Sequence, residues 1–141
     1  MAPRFASDEE ALAAAEEAYA AYIAMVDTIM GDGGKDPERL MPLASQELYE
    51  REAEGFANVA AKGIHATGKR TFVMSLQRFS DSEIVAYVCD DISQVDLIDS
   101  EGNSTVLPGR LSTYEFEVTV ALADRHSVVQ SKTLWKGDST C

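Results

Sequence analysis

Apolar positions recur at spacings of three and four from Leu12 onward. Leu12, Ala15, Tyr19, Tyr22, Ile23, Val26, Ile29 and Met30 make one broad stripe, which predicts a long amphipathic helix. Ser7-Asp-Glu-Glu10 ahead of it is a capping box, with the Ser7 hydroxyl accepting from a first-turn N–H and Glu10 reaching back. Gly31-Asp-Gly-Gly34 ends the helix, because glycine takes the left-handed conformation at little cost. Asp36-Pro37 predicts a short second helix, with Asp36 as N-cap, Pro37 at the first position and Leu40, Met41 and Leu43 as its apolar face. A third helix is expected from Ser45 to about Lys62, with Leu48, Phe56, Val59 and Ala60 inward and Gly63 as its stop.

After Gly63 the apolar period shortens to alternation. Thr71–Phe79 sets Phe72, Met74 and Leu76 against Ser75 and Gln77, and Ser80-Asp-Ser82 turns the chain into a strand from Glu83 to about Asp91. Val95–Asp99 is a short strand before the turn Asp99-Ser-Glu-Gly-Asn103. The cleanest strand places Tyr114, Phe116, Val118, Val120 and Leu122 on one face and Thr113, Glu115, Glu117 and Thr119 on the other. Asp124-Arg-His126 then turns into a last strand over Ser127–Lys136. Helices first and antiparallel strands second give an α+β fold, with three N-terminal helices on one face of a curved sheet of four to six strands. The reading is a single domain over 1–141: helical 7–63, sheet 67–137, tail 138–141.

Composition narrows the function. Twelve Lys and Arg against 24 Asp and Glu leave a formal charge of -12. Such a chain is repelled by phosphate backbones, so no nucleic-acid partner is expected. No apolar run reaches the length of a transmembrane segment, and no signal peptide opens the sequence. The two cysteines, Cys89 in a strand and Cys141 at the last position, admit two readings. They are a buried small residue and an incidental thiol, or they form a disulfide around a loop of roughly 50 residues, worth about 4 kcal/mol. The disulfide has the clearer physical use, and it implies an oxidising compartment: extracellular or cell envelope, as a mature fragment, with the cytoplasm as the alternative.

The order of elements resembles the NTF2-like cone, shared by ketosteroid isomerases, scytalone dehydratases and many binding modules. Ala18-Tyr-Ala-Ala-Tyr22, Asp36-Pro-Glu38, Tyr87-Val-Cys-Asp-Asp91, Asp99-Ser-Glu-Gly102 and Leu134-Trp135 followed by Cys141 occur in that order. Together they resemble small uncharacterised exported proteins and lipoproteins of actinobacteria. That resemblance implies a Cys89–Cys141 disulfide and an export signal or lipobox, although no lipobox cysteine occurs in this sequence. It also implies a pocket between helices and sheet, for which Tyr19, Tyr22, Asp27, Tyr114 and Trp135 are the candidate lining residues.

Chemistry is sparse. An inward Asp27 would have a raised pKa and serve as a base beside a tyrosine, but no convincing Asp–Tyr or His–Asp pair is legible, so no catalytic residue is assigned. Only His65 and His126 accompany the two cysteines, both in expected loops, which argues against a metal or a cofactor. The acidic run Asp90, Asp91, Asp96, Asp99, Glu101 and Asn103 lacks the distal glutamate of a calcium loop and reads as solvated turn acids. The expected function is therefore a non-catalytic exported domain that binds a small apolar or amphipathic molecule or an envelope partner. The alternative is a pocket enzyme of the isomerase or dehydratase type. A homodimer through the outer sheet face, carrying Glu115, Glu117, Lys132 and Lys136, is a third possibility.

Overall fold

The computed structural model describes residues 4–123, 126–137 and 141. Residues 124 and 125 of the expected turn and 138–140 of the expected tail lie outside them. Helix α1 covers Asp8–Gly31, a 3-10 segment covers Pro37–Leu43, and α2 covers Gln46–Lys62. Strands β1 to β6 follow as His65–Thr67, Thr71–Phe79, Glu83–Asp91, Asp96–Ile98, Thr113–Leu122 and Ser127–Leu134. Four of them form an antiparallel sheet in the order β2-β3-β5-β6, and β1 pairs with β4 in a separate two-stranded sheet. The fold is α+β, as the change of apolar period predicts.

Each helix begins where its sequence says. Ser7 Oγ accepts from Glu10 N at 3.2 Å, and Glu10 Oε2 accepts from Ala6 N at 3.3 Å. Ser45 Oγ accepts from Leu48 N at 3.1 Å, and Gly63, at φ 66°, closes α2. The second segment departs from expectation. Asp36 is no cap: it sits in the left-handed region at φ 52°, and the segment is 3-10. Aspartate is among the few residues other than glycine that enter the left-handed region readily. Arg39 secures the turn instead, donating to the carbonyls of Lys35 and Asp36.

The core lies between the helices and one face of the larger sheet. Ala15, Tyr19, Tyr22, Ile23, Val26 and Ile29 of α1 meet Met74, Ile84, Ala86, Val88, Val118, Val120 and Val129. Two β-bulges interrupt the alternation. One skips Gln77 in β2, so that Arg78 pairs with Val85 and Phe79 with Ile84. The other skips Gln130 in β6: Val129 pairs with Val120, but Ser131 pairs with Thr119 and Lys132 with Val118. An extra residue inverts every later side chain on the strand. Beyond Gln130, Lys132 and Leu134 therefore face the helices, and Trp135 faces away.

The second bulge is held by the cap of α2. Ser45 Oγ donates to the Gln130 carbonyl at 2.7 Å, and Ser45 N to the Val129 carbonyl at 2.9 Å. One hydroxyl thus starts a helix and fixes an irregular strand. Ser45→Ala should lower stability by about 1–2 kcal/mol, the loss of a cap together with a long-range bond. Ser7→Ala, which loses a cap alone, should cost less; urea unfolding of the two variants compares them.

Candidate functional site

The inner face of the sheet carries charge. Among the described residues the buried charged side chains are Asp90 and Lys132 on this face and Glu115 on the other. Asp90 continues the inward row Ile84, Ala86, Val88 of β3 and is 1% exposed. Its Oδ1 accepts from the Tyr19 hydroxyl at 2.7 Å, and its Oδ2 lies 2.9 Å from the same hydroxyl. Lys132 Nζ, delivered by the bulge, donates to Oδ2 at 2.8 Å, and Arg70 Nη1 stands 3.9 Å away. The lysine ammonium lies 4.4 Å from the Phe116 ring centre, 5.3 Å from Tyr19 and 5.6 Å from Tyr22, so three aromatic faces surround it.

Arg70 ties this cluster to α1. Its Nε donates to Asp27 Oδ1 at 3.3 Å and its backbone N to Oδ2 at 3.1 Å. The β1–β2 link that carries Arg70 passes close against the 92–95 turn. A Cβ at Gly68, which has φ +80°, would sit 1.9 Å from the Gln94 carbonyl oxygen. Asp27, Arg70 and Phe72 line one cavity of about 580 Å³ beside α1. A second opening of about 440 Å³ lies between α2 and the ends of β5 and β6, lined by Arg51, Glu52, Arg70, Phe116, Lys132, Thr133 and Leu134.

Burial dominates the electrostatics. Desolvation, then the neighbouring Asp90 charge, pushes the Tyr19 phenol far above its ordinary 10.0. Tyr22 is raised by burial and then by Glu52. Its hydroxyl, fully enclosed, meets no hydrogen-bond partner in the structure. Burial pulls the Lys132 amine below its ordinary 10.5, and the Asp90 charge offsets part of that.

The candidate residues separate. Tyr19 and Tyr22 enter the cluster, and Asp27 lines the first cavity, already engaged by Arg70. Tyr114, half-buried, lies across from Asp90 on the same face. Trp135 does not line the inner face. It packs edge-on against Tyr87 on the opposite one, ring centres 4.7 Å apart. The same bulge corrects the expected outer charge row, removing Lys132 from it, and Glu115 is buried, its carboxylate within 4.8 Å of both cysteine sulfurs. Cys89 and Cys141 are joined as a disulfide, Cα atoms 5.5 Å apart.

The reading of the acidic run changes too. Asp90 is a core residue, not a turn acid, whereas Asp96 and Asp99 accept local turn bonds from Leu97, Ser104, Glu101 and Asn103. An Asp–Tyr pair does exist, with Asp90 as its acid. Alternation from Ile84 inward carried the signal for Asp90. Lys132 had none, since a bulge is invisible to period counting. His65 stands in β1, paired with Ile98, instead of in a loop.

Asp90→Leu strands Lys132 in the core and should cost about 3–5 kcal/mol in urea unfolding, whereas Asp90→Leu/Lys132→Met should recover most of that. A double variant as unstable as the single would show that packing, not charge pairing, governs the site. Tyr22→Phe removes a buried unpaired hydroxyl, so stability at neutral pH should hold or rise. Above about pH 10 the unfolded tyrosine ionises while the folded one does not, so the native protein loses stability there. The advantage of Tyr22→Phe should widen by about 1.4 kcal/mol per pH unit in that range, read from denaturation midpoints across pH.

No protein-family model matches the sequence, and no curated protein matches it significantly. Among solved structures the fold is similar to that of the intermembrane space region of the chloroplast protein ARC6, with a TM-score of 0.60. The alignment covers 86% of this chain and 95% of that one at 13% identity, a likeness of fold alone.

Proposed function

We propose that this chain is an exported binding domain of the NTF2-like class that receives a small amphipathic molecule in the opening between α2 and the sheet. The observation that carries the reading is the buried Tyr19–Asp90–Lys132 cluster, whose Lys132 lines the 440 Å³ opening. A chain assembled only to pack its core gains little from an enclosed ion pair, since apolar residues of similar volume do as well. Polar groups converging at a partly apolar opening of this size are the usual make-up of a ligand site. Export is supported by the Cys89–Cys141 disulfide, which persists where thiols are not kept reduced. No described helix is long and apolar enough to cross a membrane.

The Tyr19–Asp90 contact favours a second reading, an isomerase or dehydratase using a carboxylate and a phenol. Binding is preferred because Asp90 already accepts from Tyr19 and Lys132, which leaves the acid poorly placed to take a substrate proton.

Native mass spectrometry of protein purified without reductant tests the proposal, followed by NMR shift mapping of whatever small molecule is retained. A retained species that shifts Phe116, Lys132 and Leu134 is the expected result. Shifts confined to Tyr87 and Trp135 on the opposite face would sink it.

A further inference from the structure

Among the described residues, potential metal ligands converge in one place: Cys89, Glu115 and Cys141, whose ligand atoms all lie within 4.8 Å of one another. This cluster is on the outer face of the four-stranded sheet, away from the opening between α2 and the sheet. Register sets two of the three side by side, since Cys89 of β3 pairs directly with Glu115 of β5. The disulfide brings Cys141 to them from 52 residues away.

Burial of the three is uneven: Glu115 is buried, Cys89 half-buried and Cys141 exposed. A reductant in solution therefore meets the disulfide at Cys141, and every newly made chain carries both thiols before the bond closes. A disulfide has no proton to give a carboxylate and no charge to pair with it. In the dithiol state the same carboxylate stands beside two ionisable sulfurs.

Two thiolates and a carboxylate discriminate among cations. Thiolates favour zinc and copper(I) over magnesium and calcium, and a carboxylate oxygen suits zinc better than copper(I). Tetrahedral zinc, with bonds of about 2.3 Å to sulfur and about 2.0–2.2 Å to oxygen, holds neighbouring ligand atoms about 3.5–3.8 Å apart. Once the sulfurs part, the three side chains need move little to meet that spacing.

We infer that the reduced chain binds one zinc ion through Cys89 Sγ, Cys141 Sγ and a Glu115 carboxylate oxygen, with water in the fourth position. A dithiol attacks the exposed Cys141 sulfur, forms a mixed disulfide and leaves as its own cyclic disulfide, having delivered two electrons and two protons. Zinc then displaces the two thiol protons to solvent. Exchange with a small disulfide, which re-forms the Cys89–Cys141 bond, expels the ion. The site is separate from the proposed ligand opening and stands or falls without it.

Zinc titration of the intact chain, reduced with dithiothreitol and freed of it without air, tests this, with cobalt(II) as a spectroscopic probe of the ligands. The reduced protein should take up one zinc per chain, release close to two protons near neutral pH and show sulfur-to-cobalt charge-transfer bands. The oxidised protein should take up none. Glu115→Gln should keep the sulfur bands and weaken zinc at least roughly tenfold, since loss of even an outer partner of a metal ligand costs that much. Equal binding by the oxidised protein or by Glu115→Gln, or one zinc shared by two chains, would overturn the assignment. If reduction alone abolishes the far-ultraviolet dichroism of the fold, zinc should restore it; failure to do so also overturns the site.

Discussion

An ammonium and a carboxylate held 2.8 Å apart inside an apolar core set the terms for the rest of this molecule. Removing both from water costs several kcal/mol per ion, and the attraction between them offsets this only with good geometry and satisfied remaining valences. The fold meets that condition from three directions. Helix α1 supplies the Tyr19 hydroxyl, β3 holds the acid near the end of an inner strand, and β6 turns the lysine inward. The Arg70 guanidinium closes the fourth side and bonds Asp27, so both ends of the cluster are fastened to α1.

That arrangement depends on a strand irregularity one residue long. With strict alternation from Val129, Lys132 would meet solvent and Trp135 would enter the helix-facing layer, where an indole would displace the ammonium. The bulge at Gln130 prevents this, and Ser45 holds it by bonding the Gln130 and Val129 backbone carbonyls. A helix cap 85 residues earlier in the chain thus decides which face a lysine occupies. Local signals and tertiary placement agree here, as they do in chains with a single well-separated native state.

Much of this was legible in the sequence and some was not. The apolar stripe of α1 named its buried face, because helical spacing leaves few alternatives for Tyr19, Tyr22, Val26 and Ile29. The caps at Ser7 and Ser45 and the stop at Gly63 follow from backbone donors that need acceptors at fixed offsets. Asp36 shows the limit: a good capping residue ahead of a proline takes the left-handed conformation instead, and Arg39 secures the turn in place of its side chain. Asp90 was hidden by its company, since the acids that follow it in the chain drew it into a solvated turn. Lys132 and Trp135 were lost together to one extra residue. Their partners sit on α1 and β3, far away in sequence, and no spacing rule within β6 reports them.

The ammonium of Lys132 rests against the ring faces of Tyr19, Tyr22 and Phe116. Such a trio of aromatic faces is the usual receptor for a choline-like or methylated-amine headgroup. In this protein the receptor comes already filled, by a tenant that is covalently part of the chain and cannot diffuse away. Any free cation would compete with a group whose local concentration never falls. The chain has in effect closed this aromatic cluster to free cations by supplying one itself.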